Sequence, residues 1–228
     1  MPTFADDGFC VVANVLTGEL RERLAAAFDE VVAHRAGVRG GLALPVVQAL
    51  AGSRVMRALV EPILGREAFV FRATLFDKTP AANWLVAWHQ DLVVPVAART
   101  DEPGFGPWSS KAGVVYVQPP VEVLEQLLAV RVDLDGSGAG TGGLRVLPGT
   151  HRDGVLSRAA VAERCARIAA VAPEVAAGAA LGMRPLLVHA SSRAVAPQHR
   201  RIVHLEFAPR ELPGRVQFRC AGVEANVS

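Results

Sequence analysis

The chain has 228 residues, 51% of them hydrophobic, enough to bury a sizeable core within one domain spanning residues 1–228. Its 24 Lys and Arg residues against 22 Asp and Glu leave a formal charge of +2 and no run of basic residues, which argues against nucleic acid as a partner. Acidic Asp6 and Asp7 stand where an export signal would be basic, and the longest apolar stretch, Val175 to Met183, is far short of the roughly 20 residues of a membrane-spanning helix. A soluble, cytoplasmic protein without a membrane partner is expected. The three cysteines, Cys10, Cys165 and Cys220, are widely spaced and read as buried, inert, reduced thiols.

In chain order, Leu20, Leu24, Ala27, Phe28, Val31 and Val32 recur at helical spacing from Thr17 to His34, with Thr17 as N-cap. A second helical region begins near Val46, where Val47, Ala51, Val55 and Leu59 recur, and Gly52-Ser53 is a candidate break. Pro62 and Gly65 are expected to end it. Short apolar runs follow at Ala68 to Phe76, Leu85 to Trp88, Leu127 to Leu134, Gly143 to Leu147, Met183 to Val188 and Arg201 to Phe207. Turn residues separate them, as in a strand-rich core. Val161, Cys165, Ile168 and Val171 predict a helix inserted over Arg158 to Ala172 and stopped by Pro173. Thr100 to Pro120 is rich in Gly and Pro and reads as a lid or substrate loop.

Within this frame, Leu85-Val86-Ala87-Trp88 leads a strand into His89-Gln90-Asp91, and Leu186-Leu187-Val188 leads another into His189. Two residues apart on a strand, His89 and Asp91 project from one face and can reach one ion. A lone His-x-Asp is weak, but two imidazoles and a carboxylate can take one face of an octahedral Fe(II) and leave the other open for reactants. A jelly roll makes neighbours of strands distant in sequence, so His189 can complete the set.

Several stretches together resemble the phytanoyl-CoA dioxygenase family of Fe(II)/2-oxoglutarate-dependent oxygenases. They are Asp7-Gly8-Phe9-Cys10-Val11-Val12, Phe76 to Trp84 running into Trp88-His89-Gln90-Asp91, Gly142 to His151, and His189-Ala190-Ser191 with Arg200-Arg201. The resemblance implies a mainly β fold. It is a double-stranded β-helix, a cupin-like jelly roll, here with N-terminal flanking helices and the inserted helix. It makes His89, Asp91 and His189 the catalytic iron ligands. Arg200 becomes the partner of the distal carboxylate of 2-oxoglutarate, with Ser191 hydrogen-bonding beside it, a geometry that a planar guanidinium suits. Arg201 must then face the opposite way.

The family's cofactor pocket is built from strands equivalent to those carrying Thr74 and Arg131, which become cofactor contacts by alternation. Gln90 would face away from the metal. The polar or aromatic residues expected to meet substrate are Lys78, Trp108, Tyr116 and Gln118. His151, His204 and Glu206 read as structural, His34 as a helix-terminal residue, and His199 as exposed. Halogenating relatives replace the ligand carboxylate with a small residue; this chain keeps Asp91, which favours hydroxylation of a small-molecule substrate, with O2 as cosubstrate. The alternative is a jelly-roll metal protein that binds a small ligand or performs redox-neutral chemistry. The sequence leaves the substrate and the oligomeric state open.

Overall fold

The computed structural model describes residues 3–32, 37–195 and 198–219. His34 and Cys220 lie outside them. A short α1 (Phe4–Asp7) precedes β1 (Phe9–Val12), α2 (Gly18–Val31), β2 (Gly37–Arg39), α3 (Pro45–Ala51) and α4 (Arg54–Leu64). Then come β3 (Phe69–Lys78), β4 (Val86–His89), β5 (Val94–Val96), β6 (Trp108–Lys111), β7 (Val114–Val117), α5 (Val121–Leu124) and β8 (Leu128–Asp133). The remainder is β9 (Leu144–Val146), α6 (Arg158–Arg167), β10 (Ala180–Met183), β11 (His189–Ser191) and β12 (Arg200–Ala208).

Local chemistry sets the helix ends. Thr17 caps α2 by accepting the Leu20 N–H, and Ser53 caps α4 by accepting the Met56 N–H, so Gly52-Ser53 does divide the second helical region. Pro62 lies inside α4 and does not end it; Gly65, at φ 88°, does. Ser157 caps α6, which stops at Arg167, before the expected limit at Pro173.

Three antiparallel sheets form: β1-β10-β8-β12-β3-β2, β4-β11-β9 and β5-β7-β6. Alternation gives the large sheet two different faces. Val203, Leu205 and Phe207 of β12, with Ala73, Leu75, Val130 and Val132 of its neighbours, pack against Leu24, Phe28, Val47, Leu50, Met56 and Val60 of α2 to α4. Each such side chain contributes about 1.5–3 kcal/mol on burial. The opposite face carries Arg200, His204 and Glu206 and looks toward β4-β11-β9. One end of the space between these two sheets is filled by Phe9, Leu144, Val146, Leu181, Met183 and Leu187. The other end is an open cleft lined from both sheets. The fold is therefore mainly β, a two-sheet jelly roll with helices on one flank.

Three further expectations need correction. Met183 to Val188 is not one strand: β10 ends at Met183, and 184–188 turn into β11. Pro185 and the Leu187 N–H bonded to the Arg184 carbonyl make that turn. Thr100 to Pro120 is not a free lid, because β6 and β7 pair as a hairpin that β5 extends. Cys10 and Cys165 are free but half-buried, so neither is a core thiol.

Candidate metal centre

β4 and β11 are antiparallel neighbours, and their register sets His89 opposite His189. Asp91 follows at the end of β4, its N–H held by the Pro185 carbonyl at 2.9 Å. The His89 Nδ1 lies 2.9 Å from the Ala87 carbonyl and the His189 Nδ1 2.8 Å from that of Leu187. A carbonyl only accepts, so each Nδ1 carries the proton and each Nε2 presents a lone pair.

Those two Nε2 atoms face one carboxylate, at 3.6 Å from Asp91 Oδ1 and 3.7 Å from Asp91 Oδ2. The separations exceed a hydrogen bond and surround a common space. One donor atom from each residue lies within 4.8 Å of the others, so the three could hold a metal ion.

Electrostatics keep the donors ready. Burial pushes His189 down to about 4, so it is neutral at pH 7. Burial also works to lower His89, but the Asp91 carboxylate outweighs it and holds that imidazole above its ordinary value. Burial would raise Asp91; the surrounding His189, His89 and His204 instead hold it well below the usual carboxylate range.

The cleft around these donors has a volume of about 510 Å³ including its mouth. Arg200 and Arg131 line it from the large sheet. Arg200 is 3% exposed, and its Nε and Nη1 are buried without a hydrogen-bond partner among the described residues. Burial lowers its guanidinium to about 10, which leaves it charged at neutral pH. A planar guanidinium that stays charged and lines the cleft suits a carboxylate. With a three-donor metal face at one end and this guanidinium in the same cleft, the residues fit an iron ion and 2-oxoglutarate. Arg201 faces away and pairs with Asp135 at 2.7 Å.

Other expected contacts are placed differently. Ser191 lines the cleft, yet its hydroxyl donates to the Gly142 carbonyl at 2.9 Å and accepts from Lys78 Nζ at 3.0 Å. Lys78, fully buried, also donates to the Ser192 carbonyl at 2.6 Å. It stands behind Ser191, outside the cleft lining, and burial lowers its ammonium to about 8. Thr74 is buried on β3 and does not line the cleft. Trp108 packs against a separate apolar cluster with Val94 and Val117, Tyr116 is buried in the β5-β7-β6 sheet, and the Gln118 backbone closes the hairpin through Gly106 and Pro107. None of the three lines the cleft.

Sequence reasoning missed Phe76, Trp84, Val86, Leu144 and His204 as cleft-lining residues. Alternation from Arg200 along β12 is the signal that finds His204. Its Nδ1 sits 3.4 Å from Arg131 Nη1, and its Nε2 sits 3.6 Å from Glu206, which is ion-paired to Arg72. Burial, with Arg131 adding to it, lowers His204 to about 3 and keeps it neutral. Gln90 does face away from the metal. His199, 60% exposed at its side chain, pairs with Asp77 at 2.9 Å.

Among the described residues, no helix is long and apolar enough to cross a membrane. Solved structures share the fold. AviO1 from Streptomyces viridochromogenes Tue57 superposes with a TM-score of 0.69 at 19% identity, covering 92% of this chain and 94% of that one. EctD from S. alaskensis, solved with 2-oxoglutarate and 5-hydroxyectoine, gives 0.68 at 20% identity over 90% of this chain and 73% of that one. SnoN, a non-heme alpha-ketoglutarate-dependent epimerase from nogalamycin biosynthesis, gives 0.66 at 17% identity over 97% and 84%. No curated protein sequence matches the chain. The family model described as phytanoyl-CoA dioxygenase (PhyH) matches residues 4–202, and the chain belongs to that family.

Proposed function

We propose that this single-domain protein is a cytoplasmic Fe(II)/2-oxoglutarate-dependent dioxygenase that hydroxylates an unactivated C–H bond of a small organic metabolite. The observation that carries the reading is the shared cleft, with His89, Asp91 and His189 at one wall and the charged Arg200 guanidinium at another. His89, Asp91 and His189 would hold iron, and Arg200 would take the distal carboxylate of 2-oxoglutarate. When bound, these groups supply the activation of O2, with 2-oxoglutarate converted to succinate and CO2.

The chain's own residues bind, orient and dry the site. The Ala87 and Leu187 carbonyls hold a proton on each Nδ1, so that each ring, when neutral, offers its Nε2 lone pair to the metal. Arg131, bearing on the same cleft, adds positive potential for a dianion. Phe76, Val86 and Leu144 supply apolar wall that excludes water from the reacting face. Ser191 can serve the cofactor only by turning its hydroxyl from the Gly142 carbonyl.

The test is succinate formation by protein reconstituted anaerobically with Fe(II), given 2-oxoglutarate and then air. Slow succinate release in the wild type, lost in Asp91→Ala and Arg200→Ala, supports the reading. Metal retained with no succinate and no joint stabilisation by Mn(II) and 2-oxoglutarate overturns it in favour of a non-oxygenase metal protein. The fold shared with the epimerase SnoN supports including product analysis, since an epimerised product would replace hydroxylation as the outcome.

A further inference from the structure

We propose that the groove between β4 and α6 is the substrate site, and that its occupant is an uncharged, mainly apolar organic molecule. This rests on the oxygenase reading and names the substrate class for that same centre. The cleft itself carries Arg131, Arg200, His204 and Ser191 among its apolar wall residues, which furnishes it for an anion. The neighbouring groove is predominantly apolar. It has a volume of about 1480 Å³ including its mouth, and is walled by Trp88, Leu92, Leu156, Val161, Ala162 and Cys165.

Val86 and His89 line both spaces, so cleft and groove meet at a metal ligand. A molecule lying in the groove therefore has one end beside the reacting centre. Among the lining residues other than the metal ligand His89, the one formal charge is Arg158, at the exposed start of α6. A charged molecule would lose hydration along the remaining wall with no partner to replace it, whereas an apolar one gains by leaving water.

β4 is an edge strand of β4-β11-β9, so its outer backbone groups can meet a hydroxyl or carbonyl of the occupant. A second protein chain is the other occupant that an apolar surface allows; the continuity with His89 favours a reactant.

The experiment uses 2-naphthol as a neutral probe and naphthalene-2-carboxylate as its charged counterpart, observed by proton NMR. Saturation transfer from the protein reads groove binding without any metal. Line broadening by Mn(II) with 2-oxoglutarate, against a Zn(II) reference, reads proximity to the centre. The expected result is saturation transfer and Mn(II)-dependent broadening for 2-naphthol, both severalfold weaker for the carboxylate. Both should also weaken severalfold in Ala162→Trp, which fills the groove, and in Cys165→Lys, which places a charge in its wall. Equal signals in wild type and Ala162→Trp, equal signals for the two probes, or no transfer to either, overturns the proposal. Transfer to 2-naphthol without Mn(II)-dependent broadening, in protein that binds Mn(II), places the groove away from the centre and also overturns it. Failure of the wild type to bind Mn(II) and 2-oxoglutarate together overturns the oxygenase reading instead, and the saturation-transfer arm still reports on the groove.

Discussion

The Gln90 side chain accepts the Leu156 backbone N–H at 2.8 Å, and through that bond the segment before α6 is fastened to the strand end that carries two of the three metal donors. Its amide nitrogen also donates to the Leu186 and Gly154 carbonyls, at 2.7 and 2.8 Å. Gln90→Ala leaves three buried or half-buried backbone groups without partners, for a loss of about 3 kcal/mol in urea unfolding. Loosening the backbone between His89 and Asp91 should also weaken Mn(II) binding by about tenfold. Unchanged affinity in a destabilised variant would show that the donors are positioned without Gln90.

Metal binding should carry the signature of one proton. His189, lowered to about 4, is already neutral above pH 5, whereas His89 is held above its ordinary value and must give up its proton to the incoming ion. Mn(II) affinity is therefore expected to rise by about tenfold per pH unit below the His89 pKa and then level off. Electron paramagnetic titration of free Mn(II) from pH 5 to 8 measures the slope. A slope of two protons in that range would mean that both imidazoles are charged in the metal-free protein.

Asp133 is 2% exposed, its Oδ1 has no hydrogen-bond partner among the described residues, and burial lifts its carboxyl to about 6 despite the nearby Arg131 and Arg200. The folded state therefore keeps a proton that the unfolded chain releases near its ordinary value. Between about pH 4 and 6 the folded form binds more protons, so this residue makes stability fall as pH rises. Asp133→Asn removes that slope. Relative to wild type, the variant should gain up to about 2 kcal/mol between pH 4 and 7. Urea midpoints across that range check it, and a constant difference would reject the assignment.

Gly142 takes φ of 66°, and a Cβ there would lie 2.5 Å from the Ser192 carbonyl oxygen. Its own carbonyl accepts from Ser191 at 2.9 Å. Gly142→Ala must strain both the backbone and this close approach, at a cost of about 2–3 kcal/mol. Thermal unfolding measures the loss, and it should appear with or without metal.

The sequence was most readable where spacing alone determines geometry. Thr17 marked the start of α2 and Gly52-Ser53 the break before α4, because caps are local; alternation set Arg200 and Arg201 on opposite faces, and the family resemblance chose Arg200 as the inward one. The turn at 184–188 was not legible: Leu186-Leu187-Val188 is as apolar as a strand, and only tertiary burial distinguishes the two. Trp108 and Tyr116 misled for a related reason. Their loop-like composition conceals a hairpin whose aromatic side chains serve packing. Lys78 shows the same limit, since its three oxygen partners come from residues 142, 191 and 192, far away in the chain.

The pairing of β4 with β11 makes the centre a clasp on chain closure. His89 and Asp91 meet His189 only after the intervening hundred or so residues have folded back, a long-range contact whose entropy cost must be met before any ion can be held. An ion bound by all three donors favours only the closed chain, so metal raises global stability by mass action and slows the separation of two strands on which the cleft depends. Hydrogen exchange at the β4–β11 ladder, compared with and without Mn(II), would then follow the topology of the whole protein through a single coordination event.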